Sequence, residues 1–319
     1  MRVVLTGASG FVGGGLIAPL LERGHQVTAA MRSQQTNLDS RVTQRVIEGM
    51  SGRQDWQSVL AGQQLVIHVA ARVHVMNEES SDPLAEFRKI NVEGTLNLAR
   101  QAASAGVKRF IFISSIKVNG EGTTLGASYI PDAKAAPSDP YGISKLEAEQ
   151  GLQTLAAQTG IEVVIIRPVL VYGPGVQANF LSMMRWLSKG VPLPLGAINN
   201  RRSLVALDNL IDLIVTCVDH PAAANQAFLV SDGDDMSTTM LLRRMGSALN
   251  KRARLLPVPS WMLEMGATLL GKQALAQRLC GSLQVDISKT RELLGWTPPV
   301  SVEEALRKTA KHFLDNNTK

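Results

Sequence analysis

Tyr141 and Lys145 stand four residues apart in the run Tyr-Gly-Ile-Ser-Lys. On a helix, residues at i and i+4 project from one face. A cation beside a phenol lowers its pKa from about 10 towards neutrality. Such a phenol can exchange a proton with a substrate hydroxyl or carbonyl while a hydride moves elsewhere. Upstream, Ile111-Phe112-Ile113 runs into Ser114-Ser115, an apolar strand that ends in two hydroxyls. Ligands of α/β sheets bind outside the carboxyl ends of the strands, so one of these serines could hydrogen-bond the same substrate oxygen. By itself, a Tyr-x-x-x-Lys pair also suits a plain solvated helix face.

A hydride needs a carrier, and the N-terminal residues offer it a place. Val3-Val4-Leu5-Thr6 leads into Gly7-Ala8-Ser9-Gly10-Phe11-Val12-Gly13. Gly7 permits a tight turn, Gly10 lets backbone N–H groups approach a pyrophosphate, and Gly13 allows a helix to pack on the strand. The anion then sits at the positive end of the helix. An NAD site usually adds Asp or Glu at the end of the second strand, whereas an NADP site offers Arg. This chain reads Ala29-Ala30-Met31-Arg32-Ser33, with no acid and with Arg32 at the tip. A guanidinium can pair bidentately with a 2′-phosphate, so the residues favour NADP over NAD. A merely solvated Arg32 is the alternative.

The elements that must position these groups follow from patterning. Apolar runs at Val3–Leu5, Gln26–Met31, Arg45–Glu48, Leu65–Val69, Arg109–Ser114 and Val163–Arg167 read as strands. Helical patterns lie between them at Phe11–Arg23, Asp82–Ala105 and Tyr141–Gln158. Buried strands alternating with helices predict a Rossmann-type, doubly wound parallel α/β sheet. After Pro168 the regularity breaks at Gly173-Pro174-Gly175 and in the Gly190–Gly196 stretch. Strand signals return at Ser203–Leu207 and Ala227–Val230, and helices are expected at Leu210–Val218, Ser237–Leu249, Pro259–Leu279 and Val302–Leu314. The division expected is a dinucleotide domain of residues 1–172 with a returning segment 202–232. A smaller, mostly helical substrate lobe would comprise residues 173–201 and 233–319.

Composition narrows the partners. The 319 residues are 45% hydrophobic and 19% charged, which are globular values. Aromatics at 4% argue against a nucleic-acid surface of stacked rings. The net charge of +6 is scattered, which suits a small anionic ligand or an ordinary surface equally. Two cysteines, Cys217 and Cys280, are too few for a disulfide framework and read as reduced thiols of a cytoplasmic protein. The start of the chain lacks the pattern of a signal peptide, and no run of about 18 apolar residues predicts a membrane span. Trp261–Gly271 is apolar apart from Glu264, and is expected as a buried helix rather than one lying at a membrane interface. His68 and His74 lack a Cys or acidic cluster, so no metal is expected. Met183, Met184, Met262 and Met265 read as packing residues, and Asp208 as a helix N-cap.

Taken in order, the motifs carry a resemblance that runs nearly end to end. They are Thr6-Gly7-x-x-Gly10-x-x-Gly13, His68-Val69-Ala70-Ala71, Asn91-Val92-Glu93-Gly94-Thr95, Ser114-Ser115-x-x-Val118-x-Gly120, Tyr141-x-x-x-Lys145 and Arg167-Pro168-x-x-Val171-Tyr172-Gly173-Pro174. The chain resembles the extended short-chain dehydrogenase/reductases, in the branch that acts on nucleotide sugars. The resemblance implies a catalytic triad in which Ser115 orients, Tyr141 transfers the proton, and Lys145 tunes Tyr141 and holds the nicotinamide ribose. It implies cofactor contacts at Gly7, Ser9, Gly10, Phe11, Val12, Gly13, Arg32, Ala70, Ala71, Tyr141, Lys145, Pro168 and Val169. It implies contacts to a UDP-sugar at Ser115, Asn179, Arg202 and Arg278, and a homodimer.

Departures from the family pattern narrow the reaction. Sugar-nucleotide 4,6-dehydratases carry Asp-Glu after the triad Ser/Thr, whereas this chain has Ile116-Lys117. Neither residue can do the acid–base work of water elimination, so that reaction is set aside. Asn119 stands where the family usually has Tyr. Arg32 favours a reductase of UDP-4-keto-6-deoxyhexosamines for surface-polysaccharide synthesis. A UDP-hexose 4-epimerase with retained NAD is the alternative, and a non-catalytic NADP-binding regulator a remoter one, since it would often lose the Tyr or the Lys kept here.

Overall fold

The computed structural model describes residues 1–73 and 82–317, so His74 lies outside the described residues. Its strands are β1 (Arg2–Thr6), β2 (Gln26–Met31), β3 (Thr43–Val46), β4 (Leu65–His68), β5 (Arg109–Ile113), β6 (Glu162–Pro168), β7 (Leu170–Tyr172), β8 (Leu204–Ala206) and β9 (Ala227–Val230). Seven of them form one sheet in the order β3-β2-β1-β4-β5-β6-β9, and every pairing is parallel. β7 and β8 pair in parallel as a separate ribbon. This is the expected doubly wound sheet. Its strand order reverses between β1 and β4, which opens a crevice at the carboxyl ends of the strands.

The helices are α1 (Phe11–Glu22), α2 (Gln57–Leu60), α3 (Pro83–Arg88), α4 (Thr95–Ser104), α5 (Pro140–Thr159) and α6 (Ala178–Ser188). They continue as α7 (Leu207–Thr216), α8 (Thr238–Ala248), α9 (Ser260–Leu269), α10 (Gln273–Cys280), α11 (Ser288–Leu294) and α12 (Val302–Asn317). Alternate residues of the central strands face opposite sides of the sheet. Val3, Leu5, Ile67 and Ile111 join Leu16 and Leu20 of α1 and Leu210 and Ile214 of α7 in one core. Val4, Val66, Phe110 and Phe112 join Leu98 and Ala102 of α4 and Leu152 of α5 in another. A third core of Met184, Leu187, Leu242, Met245 and Leu306 unites α6, α8 and α12. We propose the lobe division given above. Leu283, Val285, Ile287 and Trp296, late in the chain, pack with the first core.

Several expectations need correction. The helix expected over Asp82–Ala105 is broken by a π-helical turn, Lys89–Gly94, between α3 and α4. The helix expected over Pro259–Leu279 is two helices, separated at Gly271, whose φ is +65°. The Trp261–Gly271 stretch expected as a buried helix is not buried: α9 has no buried residue, and Met262 and Met265 are exposed, whereas Met183 and Met184 are core residues. Asp208 does not cap α7. It lies in the first turn behind the cap residue Ala206 and pairs with Lys308 at 2.8 Å.

Candidate active site

α5 carries both Tyr141 and Lys145. The Gly142 N–H donates to Asp139 Oδ1 at 2.6 Å, which caps the helix, and Pro140 occupies its first turn. Tyr141 follows at once and Lys145 one turn later. Ser115 comes from the end of β5, where it caps the short 3-10 turn Ile116–Val118. The structure thus brings Ser115, Tyr141 and Lys145 to one place, with the Phe87 ring edge-on to Tyr141 at 6.0 Å. Lys145 is buried, donates to the Ile113 carbonyl at 2.8 Å, and lies 4.4 Å from the Phe112 ring centroid. Its ammonium is 6.0 Å from the Tyr141 ring centroid.

Electrostatics differ from the simple picture of a cation pulling a phenol down. Burial pushes Tyr141 up to about 12, with the Ser115 hydroxyl acting to lower it and the Asp139 carboxylate to raise it. Burial pulls Lys145 down to about 7, against the upward effect of Glu149. Desolvation therefore outweighs the neighbouring charges and hydrogen bonds at both groups. The folded chain thus binds fewer protons at Lys145 than the unfolded chain between pH about 7 and the ordinary 10.5. Stability should rise with pH across that window and fall as pH drops towards 7, with a slope of at most about 1.4 kcal/mol per pH unit. Denaturant unfolding of wild type and Lys145→Met across the window tests this. Parallel curves would contradict the burial of a titrating Lys145.

The glycine loop is shaped for a dinucleotide. Gly7 has φ +74°, and a Cβ there would stand 2.8 Å from the Ala70 nitrogen. A Cβ on Gly13 would stand 2.1 Å from the Gly7 carbonyl oxygen. Gly10 caps α1 without a side-chain bond, and no acid occupies the first turn. An anion can therefore approach the free N–H groups of the helix end. Ser9 is exposed, and Phe11 and Val12 are half-buried beside it. Among the residues described, the cradle that a Cβ would fill fits the pyrophosphate of the cofactor.

Sequence reasoning missed the polar struts behind this loop. Thr6 Oγ1 accepts from the Ala70 N–H at 3.2 Å and is 2.7 Å from His68 Nδ1. His68 Nε2 is 2.9 Å from Thr95 Oγ1. Burial, helped by Lys145, holds His68 down to about 3, so the ring is neutral and has one N–H to donate. Asn91, in the π turn, accepts from the Arg72 N–H at 2.8 Å and donates to Ser144 Oγ at 3.0 Å. These bonds hold the half-buried Ala70-Ala71 segment between β1 and α5. Pro168 is half-buried and Val169 buried at the end of β6. Ser114 Oγ, at the same edge, is buried without a hydrogen-bond partner among the described residues. Arg32 is exposed beyond β2. No described residue pairs with it.

Arg202 and Arg278 lie within electrostatic reach of each other. Arg202 donates to the Gly281 carbonyl at 3.0 Å, and its pKa is lowered by burial and then by Arg278. Two cations held together in this way suit a diphosphate. Asn179 is exposed at the start of α6. Lys117 pairs with Asp139 and, at 3.2 Å, with Glu121. Asn119 is buried and accepts from Arg167 at 3.1 Å, so it serves the framework. No three His, Cys, Asp or Glu side chains among the described residues cluster as a metal site would.

The model of the NAD dependent epimerase/dehydratase family matches residues 3–231, which hold the glycine loop, Ser115, Tyr141, Lys145 and Arg202. The chain belongs to this family. It is thus an enzyme of the extended short-chain dehydrogenase/reductase type, as its motifs implied. Over 318 residues this family member is 49% identical to a UDP-glucose 4-epimerase of Vibrio cholerae, covering 99% of this chain and 97% of that protein. Its fold matches the crystal structure of a Thermotoga maritima UDP-glucose 4-epimerase with UDP-glucose (TM-score 0.77, 23% identity, 99% and 100% coverage). It also matches a Bacillus cereus UDP-glucuronic acid 4-epimerase in complex with NAD (TM-score 0.78, 18% identity, 99% of each chain).

Proposed function

We propose that this enzyme interconverts the C4 epimers of a UDP-linked hexose or N-acetylhexosamine and retains NAD through the cycle. The observation that carries the reading is the 49% identity, over nearly the full length, to a UDP-glucose 4-epimerase. It puts the epimerase ahead of the reductase that Arg32 alone favoured. The glycine loop and the end of α1 would hold the pyrophosphate, Lys145 the ribose, and Pro168 and Val169 would lie against the nicotinamide. Bound NAD would supply a reversible hydride acceptor at C4, and inversion requires the hydride to come back to the opposite face of the 4-keto sugar. Tyr141 takes the C4 hydroxyl proton and gives it back, Ser115 orients that oxygen, and Arg202 and Arg278 anchor the diphosphate. Asn179 would contact the sugar. Cys217 and Cys280 are free, which suits the cytoplasm. A homodimer serving surface-polysaccharide synthesis completes the reading.

The expected result is interconversion of UDP-glucose with UDP-galactose, or of UDP-GlcNAc with UDP-GalNAc, by purified enzyme without added cofactor. Absence of both, with NADPH oxidised on a UDP-4-keto-6-deoxyhexosamine, would reverse the order. The reductase stays the second reading because Arg32 stands unpaired where an NAD site has an acid. If Arg32 meets a 2′-phosphate, calorimetry should show NADPH binding more tightly than NADH, and Arg32→Ala should lose about 1.5–3 kcal/mol for NADPH only. Equal affinities would remove the ground for NADP.

A further inference from the structure

The α9–α10 hairpin turns its apolar residues outward. Trp261, Met265 and Leu269 recur at i, i+4 and i+8 and so share one face of α9. They are 61%, 56% and 81% exposed, and Leu270, 73% exposed, extends the ridge into the turn. The opposite side is anchored, because Leu263 of α9 and Leu279 and Cys280 of α10 pack against the third core. An exposed apolar ridge of this kind on a folded chain marks a contact surface.

Charge identifies what covers it. From residue 245 to residue 280 the chain carries Lys251, Arg252, Arg254, Lys272 and Arg278 against the single acid Glu264. All five basic side chains are exposed. None of them is ion-paired among the described residues. A second copy of this face would set like charges against like. A surface of anionic lipid complements both the ridge and the charge. Amphipathic helices with Trp and Leu on one side and Lys and Arg beside them lie in the headgroup layer. No helix among the described residues is long and apolar enough to cross a membrane, so the contact is with the surface.

We propose that the α9–α10 hairpin docks on the surface of a bilayer that contains anionic lipid. Trp261, Met265, Leu269 and Leu270 enter the boundary of headgroups and acyl chains, while Lys251, Arg252, Arg254 and Lys272 meet lipid phosphates. Docking is read without turnover, so it stands or falls separately from the reaction proposed above. The experiment is co-sedimentation of the full chain with vesicles of phosphatidylcholine, with and without phosphatidylglycerol, at low and high salt. Wild type should partition onto the anionic vesicles, less so as salt rises. The double variant Leu269→Glu/Leu270→Glu should lose at least about tenfold in partitioning while its melting curve and its turnover of a soluble UDP-sugar are unchanged. No partitioning of wild type, equal partitioning of the variant, or a dimer that only the variant dissolves, with vesicles left unbound, would overturn the proposal.

Discussion

Tyr141→Phe is expected to lose turnover by about 10²- to 10⁴-fold while binding dinucleotide as the wild type does. The substitution removes one oxygen from a ring that Phe87 meets edge-on at 6.0 Å, so packing is kept. It leaves the glycine cradle untouched. What disappears is the proton route at C4. Burial holds the phenol protonated up to about pH 12, which suits proton donation to a C4 oxygen and opposes the reverse step at neutral pH. A positive charge on the bound nicotinamide would favour the phenolate and ease that reverse step. The half-reaction that oxidises C4 should therefore speed up with pH, whichever epimer is the substrate. Single-turnover kinetics with bound cofactor, read beside cofactor titration, check both halves. A Phe variant as fast as wild type would remove Tyr141 from the chemistry.

The sheet was legible because its strands are continuous apolar runs set between helix signals. β1, β2, β4, β5, β6 and β9 lie within a residue or two of the expected runs, and β3 lies two residues earlier. β7 was missed: three residues, Leu170–Tyr172, are too short for periodicity and owe their pairing to β8. The π turn could not be read either. Its residues pattern as an ordinary helix, and what holds Asn91 is a pair of long-range bonds to Arg72 and Ser144. α9 failed for a different reason. Apolar content does not state which side faces the core, and here only Leu263 does so. Within the site, the glycine loop and the Tyr141–Lys145 pair were plain from spacing. The Thr6–His68–Thr95 struts join residues from three elements, so no local pattern announces them.

The framework beneath the triad carries the second large effect. Glu149 and Arg167 are buried, and they pair at 2.6 Å between α5 and β6. Arg167 also donates to Asn119 Oδ1 at 3.1 Å and to the Pro131 carbonyl at 2.9 Å. Glu149→Ala leaves that guanidinium buried without its carboxylate, and breaking such a pair typically costs about 3–5 kcal/mol. Denaturant unfolding reads the loss. Replacing both members by apolar residues, Glu149→Leu with Arg167→Met, should recover part of it and not all, because Asn119 Oδ1 and the Pro131 carbonyl then lose their donor. Function should follow by a separate route. Glu149 lies one turn beyond Lys145 on α5, and its charge raises the Lys145 pKa. Without it, less of Lys145 is protonated at neutral pH, so the alkaline limb of the rate profile, where Lys145 gives up its proton, should move to lower pH as the stability falls. A Glu149→Ala enzyme destabilised by less than about 1 kcal/mol would mean that water or relaxation satisfies Arg167, and that α5 is held to β6 by Ala148 and Leu152 packing alone.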